Sequence, residues 1–192
     1  VRVFLAGASG AIGRQLVPLL VAAGHEVAGT TRSEAKAETL RELGAEPAVL
    51  DVYDAERLRE AAVAFAPELV MHQLTDLPQD PSQISAKALD NARIRTEGTR
   101  NLIAAAKAAG AEHFLAQSIA WRLPGDAHAS VDEHEAMVLD FGGVVLRYGR
   151  FYGPGTYHED DQPEPPRIHV AEAASRTVSF LTAASGIVEI FD

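Results

Sequence analysis

Three glycines spaced three residues apart, Gly7, Gly10 and Gly13, lie in the segment Gly7-Ala8-Ser9-Gly10-Ala11-Ile12-Gly13, between an apolar run and a helical pattern. Each position meets a distinct need of phosphate binding. Gly7 allows a tight turn out of a strand, Gly10 lets backbone approach a pyrophosphate that a Cβ would block, and Gly13 lets a helix pack closely on a sheet. The N–H groups near Ala11 and Ile12 then lie at the positive end of a helix dipole, where an anion is favoured. The turn is therefore expected to hold a dinucleotide through Gly7, Ser9, Gly10, Ala11, Ile12 and Gly13. About twenty residues on, where an acidic side chain would bond a ribose 2′-hydroxyl, the chain reads Thr30-Thr31-Arg32-Ser33. No carboxylate stands there. Arg32 offers a fork for a 2′-phosphate, and Thr31 and Ser33 offer hydroxyls, so NADP is favoured over NAD. Asp51, with Val52 beside it, closes the third strand-like run and is expected to accept from the adenine amino group. Gln73, Leu74 and Thr75 follow the fourth run and are expected to line the nicotinamide-ribose side.

The elements that must position these residues alternate. Val3–Ala6 reads as a buried strand. Gln15–Ala23 follows with Leu16, Leu19 and Leu20 at helical spacing, Gly24 as its stop and Pro18 as a kink. Glu26–Thr31 is a second strand, and Ser33 caps a helix ending near Gly44. Ala48–Leu50 is a third strand, Asp54 caps a helix to about Ala66, and Leu69–His72 is a fourth strand. One long helix is expected over Ala86–Ala109, stopped by Gly110. His113–Ala116, Val144–Arg147 and Ile187–Phe191 complete the strands. This alternation predicts an α/β fold, a doubly wound parallel sheet in three α/β/α layers. The Gly/Pro/acidic stretch Gly153–Pro166 reads as a mobile loop or linker.

Composition narrows the partners. The chain has 192 residues, 47% of them hydrophobic, with 27 acidic and 17 basic residues and a net charge of −10. Such acidity disfavours nucleic acid and anionic membranes. With no cysteine, disulfides and thiol chemistry are excluded. No apolar run approaches the roughly 20 residues that span a bilayer, and Val1–Leu5 resembles a strand rather than a signal sequence. A soluble cytoplasmic protein, monomer or homodimer, acting on a small molecule is expected. His134, in the polar stretch His128–Glu135, is a candidate proton donor, its alternative being an exposed helix N-terminus. Tyr148 and Tyr152 flank the sixth strand's carboxyl end, and Tyr152 is a candidate phenol for the cleft. His72 reads as a core histidine. His158-Glu159-Asp160-Asp161 reads as a solvated loop, and no metal site is expected.

Four segments in order carry a resemblance: the glycine turn, Asp51-Val52, Thr96-Glu97-Gly98-Thr99-Arg100-Asn101-Leu102, and Arg147-Tyr148-Gly149-Arg150-Phe151-Tyr152-Gly153-Pro154-Gly155. Together they resemble the short-chain dehydrogenase/reductase superfamily, in its extended or atypical, NAD(P)-dependent epimerase/dehydratase-like branch. The resemblance implies a Rossmann-like NAD(P)-binding domain over residues 1–150 and a short substrate region over 151–192 that returns to the sheet. It also implies an oxidoreductase or epimerase-like activity on a small carbonyl, alcohol or sugar-derived substrate. That family's Tyr-x-x-x-Lys pair is absent: none of Tyr53, Tyr148, Tyr152 and Tyr157 has lysine four residues on. Ser118 matches the family's serine, and Arg95 stands where an asparagine is usual. The catalytic candidates are Ser118, Tyr152 and His134. The alternative is a non-catalytic NAD(P)-binding redox sensor or regulator. Trp121–Ser130 and Gly155–Ile168 are short for the family, which fits either a minimal member or a chain lacking loops and a tail.

Overall fold

Strands that are apolar on both faces can only be stable between two layers of helices. The computed structural model, which describes residues 1–192, shows that arrangement. In chain order the elements are β1 (Arg2–Ala6), α1 (Gly13–Ala22), β2 (Glu26–Thr31), α2 (Glu34–Glu42), β3 (Glu46–Val49), α3 (Ala55–Phe65) and β4 (Leu69–His72). There follow α4 (Ala88–Arg93), α5 (Thr99–Ala109), β5 (His113–Ile119), α6 (Ala129–Phe141), β6 (Val144–Tyr148), β7 (Arg150–Tyr152), β8 (Arg167–His169), α7 (Val170–Val178) and β9 (Gly186–Ile190). Seven strands form one all-parallel sheet in the order β3-β2-β1-β4-β5-β6-β9. This is the Rossmann-like architecture expected from the alternation.

One core lies between the sheet and the face carrying α1, α2 and α7, with Leu5, Leu16, Leu20, Leu40, Met71, Leu146 and Ala173 at its centre. The other lies beneath α3, α5 and α6 and includes Phe4, Leu58, Val70, Leu102, Phe114 and Val138. The strand order reverses between β1 and β4, so the crevice above their carboxyl ends is where an open α/β sheet binds ligands. The glycine turn leaves β1 at that crevice.

Two expectations about elements are corrected and one is refined. The helix predicted over Ala86–Ala109 runs unbroken from Ala88 to Ala109, as α4, a π turn at Ile94–Gly98 and α5 in succession. At that turn a Cβ on Gly98 would stand 2.8 Å from Ile94 Cδ1, with Val52 Cγ1 in ordinary contact at 3.8 Å. Periodicity along one helix does not reveal the extra residue of a π turn. Ser33 occupies the N-cap of α2, yet its side chain makes no capping bond; its N–H donates to Thr31 Oγ1 at 3.2 Å. The fifth strand runs to Ile119, past Ala116. Asp54 does cap α3, accepting from Arg57 N–H at 3.1 Å, and α1 continues through Pro18.

Beyond β6, residues 150–169 build a separate two-stranded parallel ribbon of β7 and β8 at the carboxyl edge. Then α7 packs against α1, and β9 joins the sheet beside β6. The Gly153–Pro166 stretch closes as a turn, with Gly153 N–H donating to His158 O at 2.9 Å and Gly155 N–H to Glu159 Oε1 at 2.9 Å. Tyr157 OH donates to Pro78 O, linking this turn to the segment after β4.

Candidate functional site

The glycine turn does what its residue types demand. Gly7 has φ +90°, and a Cβ there would meet Gln73 O at 2.6 Å. At Gly13 a Cβ would stand 2.2 Å from Gly7 O and 2.7 Å from Ala8 Cα. Gly10 differs: its Cβ would meet only Gly7 O, at 3.2 Å, and the residue faces solvent. The N–H groups of Ala11, Ile12 and Gly13 have no acceptor within the protein. An open surface above Gly10 and unpartnered amides at a helix N-terminus fit a dinucleotide pyrophosphate.

At the end of β2 the two threonines brace this turn. Gly7 N–H donates to Thr30 Oγ1 at 3.1 Å, and Ser9 Oγ and Thr31 Oγ1 lie 3.2 Å apart. Thr31 is buried and also accepts from Ser33 N–H, so its hydroxyl serves the backbone. Arg32 is exposed and pairs with Asp76 at 3.3 Å. Beside the turn lies a recess of about 140 Å³ lined by Ser9, Arg14, Lys36, Thr39 and Leu40. Two cations and two hydroxyls converge there, with no carboxylate in the lining. Sequence reasoning missed Arg14, Lys36 and Thr39. Their signal was position: Arg14 follows the third glycine, and Lys36 and Thr39 lie on the first turns of the next helix.

At the end of β3, Asp51 Oδ1 accepts from Tyr53 N–H at 3.0 Å, and Asn101 Nδ2 donates to Val52 O at 3.0 Å. The motif segment Thr96–Leu102 thus reaches across the crevice, its Gly98 giving clearance and its Asn101 holding Val52 in place.

A buried polar chain runs beneath the end of β4. Leu74 N–H donates to His72 Nδ1 at 3.3 Å, His72 Nε2 meets Thr99 Oγ1 at 3.1 Å, Thr99 Oγ1 meets His134 Nδ1 at 2.7 Å, and His134 Nε2 meets Gln117 O at 2.9 Å. The ends settle every direction. Gln117 O can only accept, so His134 Nε2 carries hydrogen and Nδ1 accepts from Thr99. Leu74 N–H can only donate, so His72 Nδ1 is bare and Nε2 donates to Thr99. Both rings are neutral. Burial, then the neighbouring His134, holds the His72 pKa well below the usual imidazole range. Burial is also the main cause that lowers His134 to about 4, with the Arg95 charge assisting. His134 is 2% exposed, and both its nitrogens are engaged with the protein.

At the end of β5, Ser118 Oγ donates to Glu135 Oε1 at 2.5 Å. Arg147 on β6 closes a two-pronged pair on the same carboxylate, at 3.0 Å and 2.6 Å. Burial pushes the Glu135 carboxyl up, but the Arg147 and Ser118 hydrogen bonds outweigh it and leave the pKa below the ordinary glutamate value. Glu135 and Arg147 were not singled out as a pair, because they are joined only when α6 packs on β5 and β6. Replacing Arg147 with Met is expected to leave a buried carboxylate unpaired and to cost about 2–3 kcal/mol, the lower part of the range for broken buried pairs, since Arg147 keeps some contact with water. Urea unfolding of the variant checks this, and adding Glu135→Leu should restore most of the loss.

Tyr148 is buried against Thr177 at 2.6 Å, and burial holds its phenol pKa far above the ordinary value. Gln73 is buried, its Nε2 directed at Tyr148 OH at 3.5 Å. The Tyr152 ring stands edge-on to His169, 5.3 Å between centroids, at the ribbon. Trp121, after β5, is covered by the Arg150 guanidinium at 4.5 Å. The sheet thus brings Ser118 and His134 to one edge, each committed to protein partners, and leaves Tyr152 on the ribbon beside the sixth strand.

Residues 7–136 match the model of a family described as NAD(P)H-binding. A 3-diazoavenalumate denitrifying reductase from a Streptomyces species is 40% identical over 187 residues, covering 83% of this chain and 59% of that protein. The chain therefore spans about three-fifths of that relative's length. Among solved structures, a Thermus thermophilus UDP-glucose 4-epimerase in complex with NAD superposes over 100% of this chain and 78% of its own, with TM-score 0.81 and 20% identity. The Bordetella bronchiseptica enzyme WbmG in complex with NAD does so over 99% and 72%, with TM-score 0.75 and 19% identity. These two likenesses bear on the fold. No helix is long and apolar enough to cross a membrane.

Proposed function

The chain belongs to the NAD(P)H-binding family, and from that premise we propose that it is an extended short-chain dehydrogenase/reductase-like, NADP-dependent reductase for a small electrophile that takes up hydride without a proton from a tyrosine–lysine pair. The observation that carries the cofactor choice is the recess of Ser9, Arg14, Lys36 and Thr39 beside the glycine turn, with Arg32 nearby at the end of β2. A cationic, hydroxyl-lined pocket suits a phosphate dianion better than a neutral 2′-hydroxyl, which offers no charge for Arg14 and Lys36 to pair with.

In this reading the amides of Ala11, Ile12 and Gly13 hold the pyrophosphate, Asp51 and Val52 border the adenine, and Gln73 and Leu74 border the nicotinamide ribose. When bound, the dihydronicotinamide supplies hydride. Ser118, Glu135 and Arg147 lock the ends of β5 and β6 together and present the floor of the cleft. Residues 151–168, with Trp121, form the substrate side. Tyr152 is the remaining phenol that could reach a substrate. An electrophile such as the diazo group in the Streptomyces relative's name suits a site without the pair: an aryldiazonium carbon accepts hydride and releases dinitrogen, and no proton is needed. The missing pair and the enclosed His134 also favour a second reading, a cofactor-binding sensor. Consumption of NADPH with an aryldiazonium salt would separate the two.

Calorimetric titration tests the cofactor. NADPH is expected to bind at least about tenfold more tightly than NADH, since one charge-assisted hydrogen bond contributes about 1.5–3 kcal/mol. Lys36→Ala and Arg14→Ala should lower NADPH affinity and leave NADH affinity alone. Equal affinities in the wild type would defeat the NADP reading, and no binding of either would defeat the family-based reading as a whole.

A further inference from the structure

We infer that Arg95 is the anchor for a carboxylate on the substrate, a role that rests on the reductase reading above. Arg95 lies in the π turn between α4 and α5, just before the Thr99 that joins the two histidines, and this turn packs against α6 at the carboxyl edge of the sheet. Its neighbours on the same helical stretch are all paired: Arg93 with Glu97 at 2.6 Å, and Arg100 with Glu133 at 3.1 Å. Arg95 makes no side-chain hydrogen bond and no ion pair. The other arginines without partners, Arg14, Arg59 and Arg122, are exposed, whereas Arg95 is partly withdrawn from water.

The groups facing it supply no counter-charge. His134 on α6 is near enough to feel its field, but both its nitrogens are engaged and it is neutral. Glu135, the next residue, is occupied by Arg147 and Ser118. Burial lowers the Arg95 pKa, yet a guanidinium stays charged at any physiological pH. A half-buried cation without an anion is unfavourable, and a ligand that supplies the anion would offset that cost. The cofactor cannot do so in the arrangement proposed above. Its pyrophosphate belongs at the turn after β1, and its extra phosphate between α1 and α2, both on the other side of the crevice. The nicotinamide ribose carries no charge. The anion must come from the substrate, and the planar fork of arginine matches a carboxylate best. The site that lacks the lysine of the Tyr-x-x-x-Lys pair thus acquires a cation from a different element, directed to substrate recognition.

The test uses the full chain saturated with NADP⁺. Formate, benzoate and 4-hydroxycinnamate are titrated against the neutral benzamide and 4-hydroxycinnamamide, read by calorimetry and by the fluorescence of Trp121, the single tryptophan. The aryl carboxylates should bind at least about tenfold more tightly than their amides. Arg95→Gln should abolish that preference, and Arg95→Lys should keep part of it, with NADP⁺ affinity and circular dichroism at wild-type values in both. If no carboxylate binds, or if Arg95→Gln leaves the preference intact, the assignment of Arg95 is wrong while cofactor binding stands. If NADP⁺ itself fails to bind, the reductase reading falls first and the anchor with it.

Discussion

Gly10→Ala is expected to leave the protein folded and to weaken dinucleotide binding by about 100-fold or more, equivalent to about 3 kcal/mol. The prediction turns on a contrast inside one seven-residue turn. A Cβ at Gly10 meets a single backbone oxygen at 3.2 Å and otherwise projects into open space. That space lies above the free amides of Ala11, Ile12 and Gly13, so the methyl group would stand where a pyrophosphate must approach. Gly13→Ala should behave differently. Its Cβ would be driven to 2.2 Å from Gly7 O and 2.7 Å from Ala8, a backbone collision that no rotamer relieves. The expected cost is about 3 kcal/mol or more of stability, with binding lost because the turn itself is lost. Thermal unfolding without nucleotide, beside NADPH calorimetry, distinguishes them. A Gly10→Ala protein that binds NADPH like the wild type would show that the ligand does not lie against this turn.

Unfolding free energy is expected to be flat above about pH 6.5 and to drop steeply below it, because His72 and His134 are buried as neutral rings. Their folded pKa values lie below the unfolded value of about 6.5, with His134 at about 4. Between those limits the unfolded chain binds protons that the folded chain refuses. Stability is therefore fully present above the unfolded pKa and is lost as pH falls toward the folded one. Each ring contributes a slope of up to about 1.4 kcal/mol per pH unit, so the pair approaches about 2.7 kcal/mol per unit roughly one unit below the unfolded pKa. His134 alone accounts for about 3 kcal/mol by pH 4. The Glu135 contribution disappears at lower pH, since its carboxyl pKa is held below the ordinary value. Urea unfolding across pH 4.5–7.5 measures the slope. His134→Gln keeps a donor and an acceptor for Gln117 O and Thr99 but cannot titrate, and should halve it. An unchanged slope in that variant would mean that His134 is not the buried neutral group described here.

The parts of the site that were readable in advance share one property: they are local. Gly7, Gly10 and Gly13 are required by backbone conformation and by what a Cβ would strike within a few residues, so their types and spacing announce the turn. The capping Asp54 and the alternation of apolar runs with helical spacing are local too, and they led directly to the parallel sheet. The Thr31–Ser33 segment could be placed at the end of β2. That the Thr31 hydroxyl would be consumed by Ser9 and Ser33 could not, because this depends on how closely two loops approach.

What stayed hidden was the choice of partner. His134 looked like an acid on a helix face. It became an internal link only because Thr99, 35 residues earlier, and Gln117 O converge on its two nitrogens. The helix read from Ala86–Ala109 is there, but its apolar spacing did not show the π turn at Ile94–Gly98 inside it. Glu135 and Arg147 met through the packing of α6 on β6, and Arg14 and Lys36 came to line one recess because α1 and α2 cover the same face of the sheet. The amino-acid order alone specified the layered parallel sheet and the phosphate-accepting turn, since torsion angles and burial patterns act over short stretches of chain. Tertiary packing decided which charges are cancelled and which, like Arg95, are left seeking an anion, since electrostatic and hydrogen-bond partners are set by distance in space.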